Sequence, residues 1–277
     1  MKAKVIRKLS RAIQVFDRFV ESTNQVGLVN SLKIFSYLAA GGDKKRSILV
    51  ERCSAPFCFY PRADKGVMSH LYKLGYHIKG NAGLVFDVGA NIGDETLRFR
   101  YFHPSAEIVA IEASARNYEL LRDNFTADPM VHPIHGALWH EDGFLQLQKG
   151  DSFESFRLAQ SDFPNTRSCP EETVQSFTVD RLLNKFGFQG RHIDIFKIDI
   201  EGAEEYVFCS GSLNWMKLVN EFIMEMPDND RPGSFQKIMA KFLELGIHGD
   251  SYICGENFIF IRKDAGFELV HLVGLGA

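Results

Sequence analysis

The first twenty residues lack the uninterrupted apolar run of a signal peptide and are too polar to span a bilayer. Neither a cleaved leader nor a membrane-crossing helix is expected there. A surplus of one charge is missing as well, since 32 Lys and Arg against 35 Asp and Glu leave −3 over 277 residues. Such a chain offers no global attraction to polyanions, so nucleic acid is not an expected partner and any anionic surface would need a local patch. Cysteine is odd in number and scattered: Cys53, Cys58, Cys169, Cys209 and Cys254 show no CxxC spacing. They read as free thiols in a reducing, cytoplasmic compartment, which argues against a structural zinc site. Repeats and low-complexity stretches are absent too. What remains, 45% hydrophobic residues over a chain of this length, suits one α/β domain with an appendage.

The chain is organised around LVFDVGANIGDET, Leu84 to Thr96. An apolar run ends in an acid, Asp87, breaks into Gly89-Ala90-Asn91-Ile92-Gly93, and resumes as a helix-competent stretch near Asp94. That order predicts a buried parallel strand, a tight turn and a helix N-terminus, where free N–H groups and the positive end of the helix dipole face a ligand. Glycine at 89 and 93 permits positive φ and close backbone approach. A dinucleotide fingerprint, G-x-G-x-x-G, would have glycine where Asn91 stands, so the turn favours a cofactor without a pyrophosphate. Read by itself, it is equally a sharp structural turn.

A second apolar run, EIVAIE from Glu107 to Glu112, ends in an acid roughly 20 residues later, where a carboxylate can accept both hydroxyls of a ribose. Two acids at strand ends flanking one crevice suit a nucleoside bearing a free amino acid, which is S-adenosylmethionine. The plainer alternative is that Glu112 only caps the next helix together with Ser114.

With these motifs in hand, the ordered set VFDVGANIGDET, IVAIEAS, NYELLRDNF, GALWHEDGFLQL, FTVDRLL and IDIFKIDIEGAE resembles the FkbM family of S-adenosylmethionine-dependent methyltransferases over roughly Leu84 to Met226. The resemblance implies a Rossmann-like, doubly wound, mostly parallel sheet of the class I methyltransferase type. It also implies methyl transfer to a hydroxyl of a sugar, a glycan or a secondary metabolite. Asp87, Gly89, Ala90, Asn91, Gly93 and Glu112 are the cofactor candidates, with Ala137 and Leu138 on the adenine side. Family members often carry E-x-H where this chain has Glu225-Met226-Pro227, so that histidine has no counterpart.

Residues 1–80 read as an N-terminal cap of helices and a β-hairpin, and 81–277 as the methyltransferase domain. Lys2, Lys4, Arg7, Lys8, Arg11 and Arg18 face a single acid, Asp17, over the first twenty residues, while apolar residues recur at helical spacing. This basic amphipathic helix is expected to pack its stripe on the domain or on a second copy in a homodimer. The alternative is peripheral membrane contact. A second helix, about Val26 to Ala40, stops at Gly41-Gly42. Short strands at Ser47 to Val50 and Phe57 to Tyr60 are confined to an edge or hairpin by Pro56 and Pro61. Arg62-Ala63-Asp64 then precedes a helix from Val67 to Leu74, in a segment similar to the one before the family's core. Tyr60, Arg62, Asp64 and His70 are possible substrate contacts there, or plain surface and packing residues.

The rest alternates strand and helix. Val131 to His135 is a strand, Asp142-Gly143 signals a hairpin, and Lys149 to Glu172 reads as a substrate-facing loop or an insertion. Thr173 to Val179 is a strand followed by a helix opening at Asp180. Ile193 to Ile200 is the next central strand, with Lys197, Asp199 and Glu201 of one parity and therefore on one face. Val219 to Met226 brings Glu225 to the same mouth. Phe235 to Leu245 is a helix, and Tyr252 to Cys254 with Phe258 to Arg262 form a late antiparallel edge hairpin. Asp199, Lys197, Glu201 and Glu225 are the catalytic candidates, with Asp199 as general base; a Lys197 ion pair that merely orders the strand end is the alternative. No metal is expected, because two acids do not complete a site and Lys197 competes with a cation. A nicotinamide-dependent dehydrogenase and a cofactor-binding module without catalysis remain the competing functions.

Overall fold

A computed structural model describes residues 28–49, 56–64, 77–79, 81–149, 156–158, 172–227, 231–254, 256–263, 265 and 268–270. The expected basic helix of residues 1–20, the helix at 67–74, His70 and most of the 149–172 loop lie outside these. In chain order the elements begin with α1 (Leu28–Ala40), β1 (Arg46–Ile48), β2 (Phe57–Phe59), β3 (His77–Lys79), β4 (Leu84–Val88), α2 (Asp94–Phe102), β5 (Glu107–Glu112), α3 (Ala115–Phe125) and β6 (Val131–His135). Next come β7 (Ala137–Leu138), β8 (Gly143–Lys149), β9 (Phe156–Leu158), β10 (Glu172–Phe177), α4 (Val179–Phe186), β11 (Ile193–Ile198) and α5 (Glu204–Cys209). A short 3-10 turn then leads to β12 (Val219–Glu225), α6 (Ser234–Glu244), β13 (Gly249–Cys254), β14 (Asn257–Arg262) and β15 (Glu268–Val270). Among the described residues no helix is long and apolar enough to cross a membrane.

Seven strands form the central sheet in the order β13-β14-β12-β11-β4-β5-β6. β12, β11, β4, β5 and β6 run parallel, and β14 alone is reversed. This is the doubly wound α/β fold that the alternation implied, with the order reversing between β4 and β11, the place where such sheets bind ligands beyond the strand C-termini. The reversed strand is one position inside the edge rather than on it, because β13 returns to cover it.

Alternate residues of the strands feed two cores, as a sheet buried on both faces requires. On one face Val85, Ile108, Ala110, Ile195, Ile223 and Ile259 meet Ile34 of α1, Phe57 and Phe59 of the hairpin, Leu97 of α2, and Leu121 and Phe125 of α3. On the other, Phe86, Val109, Phe196 and Phe222 meet Leu182, Phe208, Trp215, Ile238 and Phe242. Phe222 alone has the rings of Phe242 and Phe208 at 4.7 and 5.9 Å, so truncating it would cost about 3–5 kcal/mol. The cap is stitched to this body by Asn124 of α3. It accepts from the Cys58 N–H at 2.6 Å and donates to the Cys58 and Ile92 carbonyls at 3.1 and 2.8 Å. β3 in turn pairs antiparallel with β15 near the other end of the chain.

Three local expectations are corrected. The Asp142-Gly143 turn does not close a hairpin of neighbouring strands: β10 inserts between β7 and β8, giving the order β7-β10-β8-β9. The turn is held instead by long-range bonds, Ser176 Oγ to the Glu141 carbonyl at 3.0 Å and Thr178 N–H to Asp142 Oδ1 at 2.9 Å. β10 accordingly ends at Phe177, and α4 opens at Thr178, whose hydroxyl accepts from the Arg181 N–H at 3.2 Å. The helix start is one turn position earlier than Asp180 because threonine is an able N-cap. β9 also shows that part of the 149–172 segment is a strand rather than loop.

Glu221 departs from the apolar pattern. It is fully buried in mid-β12 between Ile195 and Ile261, and neither carboxylate oxygen has a hydrogen-bond partner among the described residues. Burial alone pushes its carboxyl well above the ordinary 4.5. An acid with a raised folded value contributes stability that is complete below about 4.5 and is lost as pH rises through the folded value, by up to about 1.4 kcal/mol per pH unit. Melting curves of the protein and of Glu221→Gln should therefore diverge between pH 5 and pH 8, with the variant gaining at the higher pH. An equal gap at both would show that Glu221 does not titrate on unfolding.

Candidate functional site

The site is built where β4, β5, β11 and β12 end. After Val88 the chain turns through Gly89 at φ 76°, Asn91 at φ 51° and Gly93 at φ 94°, and the Gly89 and Ala90 N–H groups both donate to the Ile111 carbonyl at 3.0 and 2.9 Å. Gly89 is required by close approach, since a Cβ there would lie 1.8 Å from the Asp199 carbonyl oxygen. Gly93 is pressed on α3, where a Cβ would meet Phe125 at 2.4 Å. Asn91 is the residue type that best tolerates a left-handed position other than glycine.

Glu112 ends β5 facing this turn. Its Oε2 accepts from the Asn91 N–H at 2.9 Å and its Oε1 from the Ser114 N–H at 2.8 Å. Burial pushes its carboxyl up to about 7, with those two N–H donors pulling the other way. Around it, Asn91 Oδ1 and Ser114 Oγ are buried without a hydrogen-bond partner among the described residues. Ser114 stands at the N-cap of α3 but makes no side-chain cap. Glu172 has taken that place from β10, its Oε2 accepting from the Ala115 N–H at 3.2 Å.

Lys197 is the hub of the other half. It is buried in register with Asp87, donates to the Gly89 carbonyl at 3.1 Å, and lies 3.5 Å from Asp87 Oδ1 and 3.7 Å from Asp199 Oδ2. Burial lowers its affinity for a proton, but the Asp87 and Asp199 carboxylates outweigh that and hold it cationic. Asp87 has no exposure; its Oδ2 accepts from Thr96 Oγ1 at 2.6 Å, and burial lifts its carboxyl to about 6 against the pull of Lys197 and Thr96. Asp199 is about one-third exposed, at 35%. Glu225, at the end of β12, is hydrogen-bonded to it and is pushed up to about 8 by burial first and then by the Asp199 charge and hydrogen bond. Glu225 therefore keeps its proton at neutral pH.

A family model, Methyltransferase FkbM domain, matches residues 87–248, more than half of the chain and all of this site. The chain belongs to the FkbM methyltransferase family. Among solved structures it is similar to methyltransferase FkbM from Methylobacillus flagellatus KT at 10% identity and TM-score 0.45, over 66% of this chain and 44% of that one. It therefore spans less than half the length of that protein. Fibrillarin from Aeropyrum pernix, in complex with S-adenosyl-L-methionine, matches at 10% identity and TM-score 0.39 over 66% of this chain and 67% of that one. The O-methyltransferase from Bacillus cereus in complex with SAH matches at 12% and 0.35, over 66% and 74%. No curated protein matches the sequence.

Within the FkbM domain, the residues singled out in sequence divide into three sets. Gly89, Ala90, Asn91, Gly93 and Glu112 form one continuous turn and acid, with Asp87 directed inward to Thr96 and Lys197 instead of toward the turn's outer side. Ala137 packs with Ala113, next to Glu112, whereas Leu138 is 2% exposed and spent in the core with Phe177 and Val179, so the adenine-side reading rests on Ala137. Lys197, Asp199 and Glu225 come together, but Glu201 does not continue their face. β11 ends at Ile198, and Glu201 (φ 57°) and Gly202 (φ 88°) are consecutive left-handed residues, which corrects the parity argument. Glu204 orders this turn by accepting from the Ile200 N–H at 2.9 Å.

The cap candidates are engaged elsewhere. Asp64 is fully buried, accepts from the Tyr60 N–H at 2.6 Å and pairs with Arg116 of α3 at 2.6 Å, while Arg116 lies over the Tyr60 ring. Arg62 is exposed beside Asp43. Ser114 was missed as a site residue because a serine just before a helix reads as its cap; only the competing Glu172, which accepts from the Ala115 N–H 57 residues away, reveals that its hydroxyl is not so used. Among the described residues no group of three or more His, Cys, Asp or Glu is placed to hold a metal.

Proposed function

We propose that this FkbM methyltransferase uses S-adenosylmethionine to methylate a hydroxyl of a sugar, a glycan or a secondary metabolite. The observation that carries the reading is the polar cradle at the end of β5: a buried carboxylate with two unpartnered oxygens, Asn91 Oδ1 and Ser114 Oγ, beside it over a glycine turn. Those residue types fit a ribose, because each Glu112 oxygen keeps a second acceptor site after taking one N–H, and the Ser114 hydroxyl can donate or accept. Gly89 to Gly93 would carry the amino-acid side of the cofactor near Lys197 and Asp199, and Ala137 would meet the base. When bound, the cofactor supplies an electrophilic methyl group.

The protein's own residues do the remainder. Holding the acceptor oxygen in line can supply most of the rate. A sugar hydroxyl is nevertheless a poor nucleophile at neutral pH, so a carboxylate must take its proton as the bond forms. Asp199, about one-third exposed, is the member of the pair that reaches solvent and takes that role. Glu225 donates to it, and Lys197 fixes its position relative to the Gly89 turn. The free thiols Cys58, Cys209 and Cys254 fit a reducing, cytoplasmic setting.

Calorimetry with S-adenosylhomocysteine and with NAD tests the reading, and binding of NAD alone would overturn it. Charge-assisted hydrogen bonds contribute about 1.5–3 kcal/mol each. Glu112→Gln should thus weaken S-adenosylhomocysteine binding by more than about tenfold with the fold intact. Since Glu112 titrates at about 7 in the free protein, affinity should also fall as pH drops below that value. Unchanged affinity in the variant would remove Glu112 from the ribose site.

A further inference from the structure

We infer that Glu172 is a positioning residue for the cofactor: by serving the start of α3, it leaves the Ser114 hydroxyl free to meet the ribose. The inference rests on the reading of Glu112 and its neighbours as the ribose cradle. Ser114 has the backbone of an N-cap. Its φ of −72° and ψ of 122° are extended, and its carbonyl accepts from the Tyr118 N–H at 2.8 Å, the first bond of the helix. Serine in that position ordinarily turns its hydroxyl onto an N–H of the first helical turn. Here it does not: Ser114 is 1% exposed, and its Oγ has no hydrogen-bond partner among the described residues.

The reason lies in β10. Glu172 Oε2 accepts from the Ala115 N–H at 3.2 Å, one of the amides that a helix start leaves open, and acidic side chains suit the positive end of a helix dipole. Its other oxygen, Oε1, lies 3.3 Å from His135 Nε2, and the His135 ring stacks with that of Tyr118 at 5.0 Å and 18°. His135 closes β6 opposite Glu112 in the strand register. One carboxyl thus ties the start of β10 both to α3 and to the strand beside the ribose acid. The Ser114 N–H meanwhile donates to Glu112 Oε1 at 2.8 Å, which holds the serine against that acid. A hydroxyl given up by the helix is then available next to Glu112, where it can donate to a ribose hydroxyl or accept from one. Without Glu172 the helix would reclaim it.

Two double-variant cycles on the full chain test this. In calorimetry, Ser114→Ala should weaken S-adenosylhomocysteine binding about fivefold, the loss of one hydrogen bond. Glu172→Ala should do the same, and the double variant should bind no worse than either one. In melting curves of the free protein, Ser114→Ala should leave Tm unchanged, whereas the same change made on Glu172→Ala should lower it by about 2–4 °C, the loss of a cap. Glu172→Gln keeps an oxygen for the Ala115 N–H and should retain most of the affinity; a loss as large as that of Glu172→Ala overturns the role given to that oxygen. Losses of affinity that multiply in the double variant overturn the inference, as does an effect of Ser114→Ala on Tm that is equal in both backgrounds. Unchanged affinity in Ser114→Ala overturns it too: if Glu112→Gln still weakens binding the ribose reading stands, and if it does not both fall.

Discussion

Asp199→Asn should lower turnover by about 100-fold or more while S-adenosylhomocysteine affinity changes much less. The side chain keeps its size, so the bonds that Lys197 makes to Gly89 and Asp87 remain, and what the proposed mechanism loses is its acceptor for the substrate proton. Glu225→Gln, which retains a donor toward Asp199, should cost far less at neutral pH, where Glu225 is already protonated. Single-turnover methylation, read beside calorimetry, separates the outcomes. If the Asn variant loses cofactor binding in proportion to turnover, Asp199 is a methionine-side ligand and the base lies elsewhere.

Gly89→Ala should destabilise the protein by about 3 kcal/mol or more. Two terms add: a Cβ at a left-handed position costs roughly 1–2 kcal/mol, and forcing an atom into a packed interior costs roughly 1–3 kcal/mol. The second is at its upper end here, because the obstacle is the Asp199 carbonyl at 1.8 Å, backbone just past the end of the neighbouring central strand rather than a movable side chain. Gly187 provides the internal comparison. It too is left-handed, at φ 72°, but a Cβ there meets nothing within 4 Å, so Gly187→Ala should show the conformational term alone. Denaturant midpoints of the two variants should differ by well over 1 kcal/mol when converted to free energy. Equal midpoints would mean that β4 and β11 separate easily at the site.

Much of the fold was legible because the decisive residues are neighbours in sequence. Leu84 to Val88, Asp94 to Phe102 and Ala115 to Phe125 are the observed β4, α2 and α3, each marked by an apolar run or helical period and a local stop. The acids closing β4 and β5 were visible for the same reason. What escaped was fixed by distant partners. The Asp142-Gly143 turn carries a hairpin signal, yet Ser176 and Thr178 hold it for β10. Lys197, Asp199 and Glu201 alternate in sequence, but alternation locates a face only while the strand persists, and Glu201 at φ 57° has left it. Ser114 looked like a cap until Glu172 was seen to occupy that position. In the site, residue types were readable and their division of labour was not: Asp87 turned out to serve Lys197 and Thr96.

The bond from Lys197 to the Gly89 carbonyl joins residues 108 positions apart. Its consequence concerns the order in which a ribosome delivers the parts. β4, β5 and β6 with their helices emerge together and can pair at once, but the other edge of β4 must wait for β11. During that interval the chain presents an open, apolar strand edge with the glycine turn unsupported on one side, the kind of intermediate that invites off-pathway association. The binding turn and the carboxylates that would act on the acceptor are thus completed in one late closure. A nascent chain halted before Ile193 would hold the acid of β5 and the turn of β4, yet lack Lys197, Asp199 and Glu225.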